Sequence, residues 1–205
     1  MNSDLFIAGT LVLAQNWELV LALLTCVSWG TLLIFATLKK ITGTQFADAE
    51  LTALALGGWP LPSLAVSALL LVLRLFIPAD FISIITLALL VVSTGFAIRA
   101  VWKLISLDFF IPVFIFLFFV FIRLGFLANA VLPPYFDSAE HYRIIQSLIN
   151  MDDGSVTTSY YHLGYHVIVA AFTSLTYANP GQVMLLFGQI ILAAIPLPIY
   201  FFIRL

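Results

Sequence analysis

The sequence predicts an all-α, polytopic membrane protein with about six membrane segments and one extracytoplasmic loop that carries an amphipathic surface helix. Three observations predict it. The chain is 63% apolar and 9% charged, with a mean hydropathy of +1.15, whereas soluble domains average roughly 45–50% apolar and about 25% charged. Apolar runs of about 20 residues recur, the length that spans a bilayer core. The polar groups are also gathered in one place: the stretch from Pro133 to His166 holds four of the ten acidic residues and all three histidines.

Other function classes are set aside by the same inventory. A net charge of −2 gives no reason to expect a nucleic-acid partner. The single cysteine, Cys26, lies inside an apolar run, so no disulfide framework exists. The opening MNSDLFIAG lacks the basic region of a cleaved signal peptide, and the N-terminus is expected to be retained.

The first spanning segment is expected over Leu19–Leu38. Leu5–Ala14 is apolar too, but about ten residues are too few to span, so this piece is expected to lie at the interface or to extend the first helix. Trp17 suits a headgroup-level anchor, and Lys39-Lys40 close the segment. A second segment covers Leu51–Phe76 and contains Gly57-Gly58-Trp59-Pro60-Leu61-Pro62. Proline there removes backbone donors and kinks the helix. A packing kink is preferred over a binding site at the break.

The third segment covers Phe81–Ile98, after the Pro78-Asp80 turn and before Arg99 and Lys103. The fourth covers Phe109–Leu127, with Arg123 near its end. Leu163–Tyr177 and Val183–Ile203 make the fifth and sixth, joined by the turn signal Ala178-Asn179-Pro180-Gly181. The boundary between an N-terminal three-helix extension (1–107) and the remainder (108–205) falls before the fourth segment. Lys39, Lys40, Arg99 and Lys103 share one side, which the positive-inside rule makes cytoplasmic. Loop 129–162 then faces the cell exterior or periplasm, although Arg143 and Arg204 oppose that orientation.

Within the loop, Asp137-Ser138-Ala139-Glu140 has the spacing of a helix N-cap followed three residues later by Glu. The helix is expected over Ser138–Met151, with Tyr142, Ile145, Leu148 and Ile149 on one face resting on the membrane surface. Asp152-Asp153-Gly154 stops it with a turn. Asp137 is a candidate catalytic base or metal ligand, and equally a plain helix cap. Asp137 and His141 are four apart, as carboxylate and imidazole ligands of a metal often are; a solvated face is the commoner reason for such spacing. His162 and His166 share that spacing and suit a divalent ion, a lipid phosphate or the axial site of a tetrapyrrole. An interfacial histidine pair is the simpler account. Phosphate-binding glycine loops, cysteine clusters and nucleophile elbows are absent, and a transporter reading finds no matching pair of broken helices.

Three runs together carry a resemblance: Arg-Leu-Gly-Phe-Leu (123–127), Leu-Pro-Pro-Tyr-Phe-Asp-Ser-Ala-Glu-His-Tyr-Arg (132–143) and Tyr-Tyr-His-Leu-Gly-Tyr-His-Val-Ile (160–168). They resemble the start of a GT-C superfamily glycosyltransferase, a polytopic enzyme that takes sugars from polyprenyl-phosphate carriers. The likeness covers about Phe109–Leu205. Phe136-Asp137 through Tyr142-Arg143 is similar to a segment of oligosaccharyltransferase catalytic subunits, except that Ser138 stands where those carry proline. The resemblance implies that Asp137 acts as catalytic base or helps hold a divalent cation, Mg or Mn, with His141 as a further ligand. It implies Arg143, His162 and His166 as contacts to a polyprenyl-phosphate sugar. The family's later carboxylate motifs would fall beyond residue 205. The chain is therefore expected to be the N-terminal part of such a transferase, or a non-catalytic subunit of a larger membrane complex descended from one.

Overall fold

In the computed structural model, which describes residues 3–43, 45–102, 105–127, 138–150 and 163–204, every regular element is helical. Among the described residues, four spans are long and apolar enough to cross a membrane: Trp17–Thr42, Asp48–Leu73, Leu107–Gly125 and Pro180–Arg204. The protein is thus all-α and of the membrane-spanning type.

Helix α1 (Ser3–Gln15) is separate from α2 (Trp17–Thr42), with a bend at Asn16 whose side chain donates to the Val12 carbonyl at 3.0 Å. It does not lie free at an interface. It packs along α6 (Phe110–Gly125), where a Cβ on Gly9 would come within 2.8 Å of the Phe121 carbonyl oxygen. Small residues that let backbones approach are how apolar helices associate in lipid, where no hydrophobic drive exists between them.

The second expected segment is two helices, α3 (Asp48–Gly58) and α4 (Pro60–Leu73), broken at Trp59. Pro60 and Pro62 lack the amide protons that would have bonded the carbonyls four residues back. The break is closed by packing: Trp59 is 1% exposed, the Ser63 hydroxyl donates to its carbonyl at 3.1 Å, and Gly30 of α2 lies against its backbone. The same device recurs in the last span, where α9 (Pro180–Leu192) and α10 (Pro196–Arg204) are divided before Pro196-Leu197-Pro198. That second break was not expected from the sequence. Ala193 and Leu197 there are fully buried, and α10 packs on α3. Both breaks are filled by side chains, as kinks are.

One end of the bundle is tied by charge. Asp48 at the start of α3 accepts from Lys39 Nζ at the end of α2, and from the Ser106 N–H at 3.0 Å. A small core of Phe35, Leu51, Ala55 and Phe109 lies behind it, the Phe35 and Phe109 rings meeting edge-on at 5.1 Å. Helix α5 (Ala79–Val101) runs beside α2, bonded to it by Trp29 Nε1 donating to Ser93 Oγ at 2.8 Å.

The fifth expected segment is short. Helix α8 (Gly164–Thr176) has 13 residues, so it reaches roughly 20 Å, short of a core of about 30 Å. It runs parallel to α4, with Gly164 against Leu64 and Ser174 Oγ accepting from Arg74 Nη1. It therefore starts about one turn past the Trp59 break and ends beside Arg74, remaining in the half of the bundle away from Lys39. The turn at Tyr177, in a left-handed conformation, and an Asn179 cap accepting from Gly181 and Gln182 then send α9 back along the bundle. Because α8 stays in that half of the bundle, α10 lies at the Lys39 end.

Candidate functional site

The site is built on α7 (Ser138–Asn150), which starts one residue after Asp137. Its sequence alternates polar and apolar residues at helical spacing, and the apolar side faces protein. Ile144 and Ile145 are 0% exposed, and Tyr142, Leu148 and Ile149 pack on the core. Helix α7 sits against α8 and α9. This corrects the expectation of a helix resting on the lipid surface. The reason is α8: by staying in one half of the bundle it offers an apolar wall to dock on.

Docking brings together two histidines 25 residues apart. His141 Nδ1 and His166 Nε2 are hydrogen-bonded at 2.8 Å, with ring centroids 5.0 Å apart and planes at 36°. Tyr165 meets both rings edge-on, at 5.7 Å from His166 and 6.4 Å from His141. The Tyr165 hydroxyl donates to the Met184 carbonyl at 2.8 Å. Its ring leans on Phe187, which meets Trp59 edge-on at 5.6 Å. An aromatic chain thus joins the histidine pair to the kink of the second span.

The expected site residues separate into three groups. Asp137 and His162 lie outside the described residues. His141 and His166 are joined to each other, which their sequence spacing did not suggest. Arg143 is exposed and forks onto Glu140, its Nε donating at 2.8 Å and its Nη2 to the other carboxylate oxygen. The Arg143 fork engages Glu140, whose expected part in a cap with Asp137 falls outside the described residues. His166, expected as a substrate contact, is 1% exposed with Nε2 bonded to His141.

The described residues do not by themselves fit Mg or Mn. No three His, Cys, Asp or Glu side chains converge among them, and those cations take oxygen ligands where this pair presents imidazole nitrogens.

The Arg143 guanidinium beside Glu140 holds its carboxyl below the ordinary glutamate value of 4.5. A depressed carboxylate favours the folded state above its unfolded pKa, and that contribution is lost as pH falls through the lower folded value. The Glu140–Arg143 pair should thus be indifferent to pH from 8 down to 5, and it should fail only in acid below the usual carboxylate range. A carbon-13 titration of the Glu140 carboxyl checks this; a midpoint at or above that of a free glutamate would refute the pairing in solution.

Tyr165, Arg74 and Ser174 carry no local motif, because their partners lie 19 and 100 residues away. One usable signal was present: Ser63-x-x-x-Ser67 is a small-residue pair inside an apolar run, and both serines are buried. Compared with family models, curated proteins and solved structures, the chain matches none.

Proposed function

We propose that the chain is a membrane module of a GT-C-like glycosyltransferase, acting on polyprenyl-phosphate sugars at the bundle end away from Lys39. One observation carries the reading. The helix that follows Asp137 is docked into the bundle, and its first turns are held by the His141–His166 bond. A docked helix can give a group at its start a fixed place, which is what a catalytic group requires.

In the transfer, an acceptor hydroxyl oxygen attacks the anomeric carbon while the bond from that carbon to the lipid phosphate breaks. Asp137 takes the hydroxyl proton, and the phosphate leaves on its lipid. General-base catalysis of this kind contributes about 10²–10⁴-fold. Asp137→Asn should therefore lower turnover of dolichyl- or undecaprenyl-phosphate sugars by about 100-fold or more in nanodiscs. Unchanged turnover in the variant would remove Asp137 from catalysis. Neither turnover nor saturable donor binding by the intact protein would leave the non-catalytic subunit.

The orientation belongs to the same proposal. Five crossings, by α2, α3 with α4, α5, α6, and α9 with α10, put Lys39, Lys40, Arg99 and Arg204 on one side, which is cytoplasmic by the positive-inside rule. In a Cys26→Ala background, Lys40→Cys and Arg204→Cys should react with an impermeant maleimide from the same face of sealed vesicles. Labelling from opposite faces would restore six crossings.

A further inference from the structure

We propose that His166 is a positioning residue: it fixes the ring of His141 and, through it, the first turns of α7. The inference rests on the transferase reading for its purpose, though not for its geometry. His166 is 1% exposed, so it does not meet a substrate directly. It sits at the start of α8 among Ile168, Val169, Ala170 and Ala171, all buried, so its backbone is held on a helix that packs on α4, α5, α7 and α9. Its ring is flanked by Tyr165, which is itself anchored on the Met184 carbonyl.

A neutral imidazole donates from one nitrogen and accepts at the other. An N–H···N bond between two such rings therefore gives them opposite roles at the contact. Whichever role His166 Nε2 takes, His141 Nδ1 must take the other, and this sets the tautomer of His141 as well as its ring plane. His141 lies in the first turn of α7. A bond from that turn to a buried helix limits how α7 can rock on the bundle, whereas the Ile144 and Ile145 contact one turn further on limits only its separation. Partners that orient a site group without touching substrate are typically worth about 10–100-fold.

Two substitutions separate the bond from mere filling of space. His166→Phe keeps a ring and removes both nitrogens. His166→Gln puts an amide near the place of Nε2. With nitrogen-15 histidine in the intact protein, a scalar coupling across the bond should link His141 Nδ1 to His166 Nε2, and it should vanish in His166→Phe. Amide exchange at residues 139–142 should rise in His166→Phe and return toward wild type in His166→Gln, with residues 147–150 little changed. With a polyprenyl-phosphate sugar as probe, His166→Phe should lose about 10–100-fold in kcat with KM nearly constant, and His166→Gln should recover most of it.

Absence of the coupling in the wild type, or exchange that rises evenly along α7, overturns the positioning role. So does full kcat in His166→Phe when Asp137→Asn is inactive. Coupling and local exchange as described, in a protein that turns over no donor, uphold the positioning role and sink the transferase reading alone.

Discussion

Trp59→Ala is expected to destabilise the protein by about 3 kcal/mol in detergent micelles, reckoned from a cost of about 24 cal/mol per Å³ for a void of roughly 120 Å³. The figure uses the cavity cost alone, because lipid or detergent around the helices makes the usual water-to-core transfer contribution small. Trp59 is the filler of the α3–α4 break: it is 1% exposed, stacked edge-on with Phe187 and pressed by Gly30. Without it the gap left by Pro60 and Pro62 has no lining. Gly30→Val attacks the same contact from the other side. A Cβ there would meet the Trp59 carbonyl oxygen at 2.8 Å, and backbone does not yield as a side chain would, so overpacking should cost about 1–3 kcal/mol. Equilibrium unfolding in mixed micelles measures both. If Trp59→Ala unfolds like the wild type, the break is not held by packing, and an open polar site at the kink becomes the better account.

The second large effect is at α7. Ile145→Ala should weaken its docking by about 2–5 kcal/mol, and Ile144→Ala by a similar amount; the two are adjacent, so the double change will not be a simple sum. Here the response should be local, because α7 is joined to the rest by one face against α8 and α9. Amides of residues 138–150 should exchange about 30-fold faster for each 2 kcal/mol lost, while α2 and α6 keep their protection. Exchange rising together across the bundle would mean that α7 is part of the core's cooperative unit rather than a docked element. The experiment also bears on function, since an undocked α7 would separate His141 from His166.

Much of the architecture was legible in the sequence because membrane helices declare themselves locally. A long apolar run with few charges has no alternative to a helix where water is absent, so the spans were located to within a few residues. The Pro60 kink, the turn at Ala178-Asn179-Pro180-Gly181 and the apolar face of α7 followed from residues within one or two turns of each other. The break before Pro196 was available by the same logic, since Pro196-Leu197-Pro198 repeats the Pro60-Leu61-Pro62 pattern. It passed unnoticed because no glycines mark it.

The candidate site was legible in part. His141, His166 and Arg143 stood out because polar residues are scarce in such a chain. Their partners did not, because pairing depends on which helices meet. Arg143 turned to Glu140, a neighbour three residues away, and His141 turned to His166 across 25 residues.

What the sequence by itself determined is therefore the class of protein, its spanning segments and the stretch where its polar chemistry is concentrated. Only the tertiary structure decided that α8 stays in one half of the bundle, that α7 docks on it, and that two histidines share a hydrogen bond there. The physical reason is one of range. Helix formation and lipid solubility are set by contacts within a few residues and by composition. Whether an apolar 13-residue helix crosses or turns back depends on what its walls are, and those walls come from α4, α5, α7 and α9, far away along the chain.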